Sequence, residues 1–296
     1  MRVEYREEPC RSALNRVRGM PFRWSLNPYT GCVHRCTFCY VRHFEQRADR
    51  PSDNRYGRTI RVKTNIVAVL RDELSRRSWQ REEVAIGAAT DPYQPCEGRY
   101  RLTRACLVEL AAARTPVGLI TRGPLVWRDV DVLQDAARAG GVFVSVSIPT
   151  LDDRVWRTTE PGTAPPHSRM EIVRRLAEAG VKVGVAVAPV LPGISDEPEA
   201  LVTVVRAARE AGAHSIWCAV VHLRPGTKEH FLDALARDWP EQLERYTGLY
   251  ARSAYPPPSL VDPIKATVRE AAAATARPRR PVIRPAPQPE QLTLSV

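Results

Sequence analysis

An α/β fold with a parallel sheet covered by helices is predicted by one cadence that recurs through the middle of the chain. Three times an amphipathic helix ends in Ala-Gly and a β-branched run follows. Ala139-Gly140 precedes residues 142–148, Ala179-Gly180 precedes 181–187, and Ala211-Gly212 precedes 215–221. Glycine just past a helix end accepts the left-handed cap conformation. Runs that are apolar almost throughout, and not merely on alternate residues, belong to strands buried on both faces. A third observation sets the size. Six βα units can be traced, and too little chain remains for eight, so a closed eight-unit barrel is not expected.

The elements follow in order. Residues 22–26 form the first strand. A helix over 65–79 places Ile66, Val69, Leu70 and Leu74 on one face. Residues 83–88 are a strand, 102–113 a helix, 117–120 a strand and 129–139 a helix, and the three Ala-Gly units complete the six. The chain divides into an N-terminal segment (1–21), a core (22–254) and an extension (255–296). Pro256-Pro257-Pro258 opens the extension, and a helix is expected over 264–276. Arg277-Pro-Arg-Arg-Pro and further prolines at 285, 287 and 289 then read as an extended or disordered solvated tail.

Composition bounds the function class. The chain has 296 residues, 44% of them hydrophobic and 26% charged, which suits a single large core. No apolar run approaches the roughly 18 residues of a membrane span. The start, Met1-Arg-Val-Glu-Tyr-Arg-Glu-Glu, lacks the apolar stretch of a signal peptide. A cytoplasmic setting, where thiols stay reduced, is expected. The net charge is +11, and four of the 44 basic residues are lysine, leaving 40 arginines. Arginine pairs with phosphate in two places at once and stacks on flat rings, so a polyanionic partner is one reading and codon bias the other. Residues 42–63 carry a net +4 and residues 277–296 a net +3.

The chemistry concentrates in Cys32-Val-His-Arg-Cys36-Thr-Phe-Cys39-Tyr40. This CX3CX2C run offers three thiolates and no fourth at matching distance. Iron–sulfur cubes usually take four cysteines, so three would leave one iron open. A zinc site completed by His34 or His43 is the competing reading, although no second ligand cluster follows. A disulfide framework does not suit seven cysteines in a chain of this size. Cys106 and Cys218 read as core residues. In parallel βα folds the reactive groups gather at the carboxyl ends of the strands. These ends carry the cysteine loop, Thr90-Asp91-Pro92, Thr121-Arg122-Gly123, Ser145 and Ser147, residues 189–193, and His222-Leu-Arg224.

Asn27-Pro28-Tyr29-Thr30-Gly31-Cys32 with Cys36-Thr-Phe-Cys39-Tyr40 resembles the radical SAM superfamily, and within it the branch grouped with spore photoproduct lyase. Residues 89–95 (Ala-Thr-Asp-Pro-Tyr-Gln-Pro) and Thr159-Glu160-Pro161 followed by Arg169 resemble the same branch. The resemblance runs from about residue 22 to about residue 250. It implies a partial (β/α)6 barrel and a [4Fe–4S] cluster on Cys32, Cys36 and Cys39, with S-adenosylmethionine (SAM) on the fourth iron. It also implies reductive cleavage of SAM to a 5′-deoxyadenosyl radical that takes hydrogen from a substrate, with electrons from a reductase or ferredoxin-type donor. Phe38 and Tyr40 would lie beside adenine. Thr90 and Asp91 would bind the methionine amino group, Ser145 and Ser147 the ribose or carboxylate, and Arg169 the carboxylate, with Leu191 packing on adenine. Cys96 would return a hydrogen atom to the product. Plainer readings stand beside these: a turn and helix cap for Thr90 and Asp91, a solvent-facing helix residue for Arg169, and a packed loop thiol for Cys96.

Three functions fit: a radical SAM enzyme on a nucleic acid or nucleotide, one that tailors a small metabolite or peptide, and a non-catalytic metal-bound nucleic-acid-binding protein. The cysteine motif starts early in the chain, at Cys32, where spore photoproduct lyase carries a longer preceding segment. The substrate is therefore not set by the fold.

Overall fold

Strands in this protein form from β-branched runs that helices bring side by side. The structure, a computed structural model, describes residues 3–276 and 280–286. In chain order the strands are β1 (Glu4–Glu8), β2 (Leu14–Arg16), β3 (Trp24–Leu26), β4 (Tyr29–Thr30), β5 (Thr59–Lys63), β6 (Val84–Ile86), β7 (Val117–Thr121), β8 (Val142–Ser147), β9 (Val183–Val190) and β10 (Ser215–Val220). The main sheet runs β10-β9-β8-β7-β6-β3-β2. From β3 to β10 every pairing is parallel, and the spatial order follows the chain order. This is the arrangement of a partial (β/α)6 barrel: each strand lies beside the next because helical crossovers carry the chain back between them.

The helices close over the outer face. Leu107, Leu133, Val173 and Val205 pack with Leu26, Ile86, Leu119, Val144 and Val185 in one continuous core. The valine-rich strands are buried on both faces, as their lack of alternation requires.

Several expected boundaries move for identifiable reasons. The helix expected over 65–79 is Ile66–Leu74. Ser75 Oγ donates to Asp72 O at 2.9 Å, and Trp79 turns back to meet the Trp24 ring at 5.7 Å. The helix expected over 129–139 is preceded by a 3-10 turn, Pro124–Asp129. The fifth strand starts at Val183 and continues through Pro189 to Val190.

Both flanks join the core. Residues 1–21, set apart in the sequence reading, supply β2, antiparallel to β3, and β1, parallel to β5 in a second sheet ordered β1-β5-β4. The extension's helix runs Pro258–Ala274, six residues earlier than expected, and passes through Pro263. Pro263 is the sixth residue of this helix, past the first turn, so it removes one i→i−4 hydrogen bond there. Ile264 and Val268 of this helix sit in the main core. Residues 280–286 lie along the barrel floor, with Ile283 N donating to Gly180 O at 2.9 Å and Ala286 N to Arg138 O at 2.8 Å. Residues 277–279 and 287–296 of the expected tail lie outside the described residues. Among the described residues no helix is long and apolar enough to cross a membrane.

Candidate active site

The cysteine loop leaves β3 through β4 and is clamped from three sides. Gly57, at φ +76°, faces it so closely that a Cβ would lie 2.3 Å from Cys32 O. On the far side a Cβ at Gly162 would lie 2.4 Å from Val33 O. Gly162 N donates to His34 O at 3.1 Å, and Thr37 N donates to Thr159 O at 2.8 Å.

The third clamp is the turn after β6. Thr90 Oγ1 donates to Gly31 O at 2.6 Å, and Gln94 Nε2 donates to the same carbonyl at 3.1 Å. Val33 N donates to Gln94 Oε1 at 3.1 Å. Asp91 accepts from Tyr93 N (2.9 Å), Thr121 Oγ1 (2.7 Å) and Arg122 N (2.6 Å), and its Oδ2 lies 3.3 Å from His34 Nδ1. Burial opposes the Asp91 charge, but His34 and these donors outweigh it and hold the carboxyl down at about 2. Burial likewise opposes a charged His34, yet Cys32 and Asp91 carry it up to about 10. Thr90 and Asp91 thus occupy themselves with the loop.

A fourth tie reaches across the open side of the barrel. Thr227 Oγ1 donates to Cys39 O at 3.1 Å, and His43 Nδ1 donates to Pro225 O at 3.0 Å. The first βα turn is thereby fastened to the turn after β10. Tyr40 OH donates to Ala88 O.

Cys32 and Cys36 are buried and Cys39 nearly so, and all three thiols are free. Burial pushes the Cys36 and Cys39 thiols up, so in a metal-free chain they keep their protons, which a metal centre displaces. A single zinc ion needs its ligands to converge. No such group of three stands among the described residues. An iron–sulfur cluster takes each thiolate at a separate iron, and the loop supplies three thiols from one short turn. Phe38 and Leu191 pack beside Cys36 in one apolar cluster. Ser145 Oγ, within β8, is buried without a hydrogen-bond partner among the described residues. An orphaned buried hydroxyl is costly, and a ligand hydroxyl or carboxylate would satisfy it. Ser147 offers its carbonyl to Arg169 Nη1 at 2.8 Å.

Two expected residues lie apart. Arg169 is fully buried, neither solvent-facing nor open to a ligand. It pairs with Glu160 Oε2 at 2.8 Å and donates to Ala164 O at 2.9 Å. Cys96, expected on the mouth side, is sealed among Tyr29, Ile60, Val62, Val33 and Tyr100 beneath the smaller sheet.

Two residues were given no role of their own from sequence. Arg122, from the third strand end, pairs with Glu160 Oε1 at 2.6 Å and lies 5.7 Å from the Phe38 ring centroid, with one fifth of its side chain exposed. Its place after a strand was the available signal. Tyr56 stands 3.7 Å from Cys39 Sγ and was read only as part of a basic loop.

Comparison with known proteins decides the family, because the model of the Radical SAM superfamily matches residues 26–205. The chain belongs to the Radical SAM superfamily. As a radical SAM enzyme it has relatives in distant sources. A Mycobacterium tuberculosis protein without assigned function is 40% identical over 260 residues, spanning 87% of this chain and 76% of its own length. An Acidianus two-tailed virus protein is 30% identical over 72% of this chain and 71% of its own. A radical SAM Nalpha-GlyT isomerase of Pseudomonas phage M6 is 27% identical over 56% of this chain but 33% of its own length. Among solved structures, spore photoproduct lyase with bound AdoMet and dinucleoside spore photoproduct superposes with a TM-score of 0.61 at 15% identity, covering 86% of this chain and 82% of that one. At that identity the likeness is one of fold. The family uses SAM and an iron–sulfur cluster.

Proposed function

We propose that this radical SAM enzyme holds a [4Fe–4S] cluster on Cys32, Cys36 and Cys39 and acts on a nucleic acid or nucleotide, in the cytoplasm, with electrons from a reductase or ferredoxin-type donor. Bound together, the cluster and SAM supply reductive cleavage of SAM and a carbon radical that takes hydrogen from substrate. The chain supplies position and exclusion of water. Phe38 and Leu191 offer adenine an apolar wall beside Cys36, with Tyr40 at its rim. Ser145 offers its unpaired hydroxyl to the ribose or carboxylate. Arg122 is the accessible cation beside Phe38, and it takes the carboxylate role that the resemblance gave to Arg169. Thr90, Asp91 and Ser147 hold the loop and the Arg169 anchor in place.

One observation carries the substrate class. Four rings stand in a row at the mouth: Phe44, Tyr40, His222 and Tyr255, with successive centroids 6.2, 5.9 and 5.3 Å apart. Phe44, Tyr40 and Tyr255 are each at least 40% exposed. Arg224 donates to Tyr255 OH at 3.0 Å. Burial, with Arg224 and His43, keeps His222 neutral near pH 7. Exposed flat rings beside a guanidinium suit stacked bases, each stack being worth about 1–3 kcal/mol. The spore photoproduct lyase likeness supports the same reading, since that protein is seen with a dinucleoside.

The test is anaerobic reconstitution followed by reduction with SAM. Formation of 5′-deoxyadenosine that vanishes in Cys32→Ala is expected. A single-stranded oligonucleotide should bind, and Tyr255→Ala should weaken that binding about fivefold or more. Cofactor cleavage without oligonucleotide affinity would move the substrate to a metabolite or peptide. Oligonucleotide affinity with no cleavage would leave a metal-bound binding protein.

A further inference from the structure

Tyr56 lies between the cysteine loop's helix (Val41–Arg47) and β5, in a stretch that function has not yet used. The side chain is buried with Cys32 and Val41, and Cys39 packs against them. Its hydroxyl, 3.7 Å from Cys39 Sγ, has no other hydrogen-bond partner among the described residues. The Arg42 guanidinium covers one face of the ring, 4.6 Å from the centroid. Arg42 is itself buried, and its Nη1 donates to Ser52 O and Asp53 O, each at 2.7 Å. Gly57 follows, pressed against Cys32 O. The ring is therefore covered by Arg42 on one face and packed with Cys32, Val41 and Cys39.

While Cys39 keeps its proton, either group can donate. A thiolate bound to iron has none, so the O–H of Tyr56 becomes the donor and the sulfur the acceptor. We infer that Tyr56 is a positioning residue for electron uptake: its hydroxyl donates to the Cys39 sulfur and raises the reduction potential of the centre that Cys39 ligates. The inference rests on the cluster reading above. Reduction adds one electron from the external donor, and part of that charge falls on the ligating sulfurs. A hydrogen bond to a more negative acceptor is stronger, so the reduced state gains more from Tyr56 than the oxidised one. Hydrogen bonds to sulfur are among the levers that set such potentials. Tyr56 keeps its proton throughout. Arg42, held against the ring in a dry site, adds a fixed positive charge that acts in the same direction.

The experiment is a redox titration of the reconstituted full chain, followed by electron paramagnetic resonance, with iron and sulfide measured in parallel. Tyr56→Phe keeps the ring and its contact with Arg42 and removes only the hydroxyl. Both states lose the bond and the reduced one loses more, so the one-electron equilibrium shifts by part of one charge-assisted hydrogen bond, about threefold, and the midpoint should fall by about 30 mV at unchanged iron content. An unchanged midpoint at full iron content overturns the assignment. If Tyr56→Phe loads poorly, 3-fluorotyrosine at position 56, a stronger donor of the same shape, reads the same bond with the opposite sign. Its midpoint should rise, and no shift overturns the assignment. A wild-type chain that takes up no iron and sulfide would instead remove the cluster reading, and this inference with it.

Discussion

Arg169 shows how burial decides what a charged residue does. Its guanidinium and the Glu160 carboxylate are both fully shielded, and burial, which would raise the carboxyl, is outweighed first by Arg169 and then by Arg122, so Glu160 stays below its usual range. Removing one partner of such a pair strands a buried charge and costs about 3–5 kcal/mol. Arg169→Ala is therefore expected to unfold at clearly lower urea. Arg122→Ala leaves Glu160 its other partner, so its fold should survive while SAM binds about tenfold more weakly by calorimetry. Equal loss of SAM affinity in both variants, with stability unchanged, would return the carboxylate role to Arg169. Cys96 follows the same logic. Sealed among apolar side chains, its thiol contributes packing, and Cys96→Ala should cost roughly 1 kcal/mol without altering products. A changed product profile would restore it as hydrogen donor.

At the level of elements, the two sequence stretches that pointed to the family prove to be clamps on a third. Thr90, Asp91 and Gln94 hold Gly31, Val33 and His34, while Thr159 and Gly162 hold Thr37 and His34. The strands, their order and the loop's position could be read in advance because apolar runs, Ala-Gly caps and cysteine spacing are local signals. The partners of the loop could not, because they meet it from 25 (57 − 32) to 188 residues away in sequence. The basic stretch 42–63 misled for a similar reason. Arg42 is buried, and Arg50 pairs with Glu45 at 2.8 Å, so part of its charge serves the loop and is not offered to a polyanion. Gly57→Ala tests the clamp directly. Its φ of +76° and the contact with Cys32 O leave no room for a methyl group. Iron content should fall well below that of the wild type while far-ultraviolet circular dichroism stays the same. Full iron loading would show that the loop closes without this contact.

Across the whole molecule, the Ala-Gly cadence that announces the fold also builds a docking surface on the barrel floor. A Cβ placed at Gly141, the residue after Ala139-Gly140 and the one in the left-handed turn, would stand 3.4 Å from Pro285, one at Gly180 would stand 3.2 Å from Ile283, and one at Gly212 would stand 3.3 Å from Arg280. The three turns present bare backbone where residues 280–286 cross, and Arg280 Nη1 lies 3.5 Å from Glu178 Oε1. The mouth and its cysteine loop lie at the opposite ends of the same strands. Ending the chain after residue 276 therefore removes the floor contacts and leaves the site untouched. Ile283 is half-buried against the core, and losing its share of burial with two backbone hydrogen bonds costs about 2 kcal/mol. For a chain of this length that corresponds to a melting point lower by roughly 3 °C, measured by calorimetry on the reconstituted protein. Iron content and 5′-deoxyadenosine formation at 20 °C should match the full chain. If activity falls while the melting point holds, the floor segment reaches the chemistry through the strands, and the separation of floor from mouth fails.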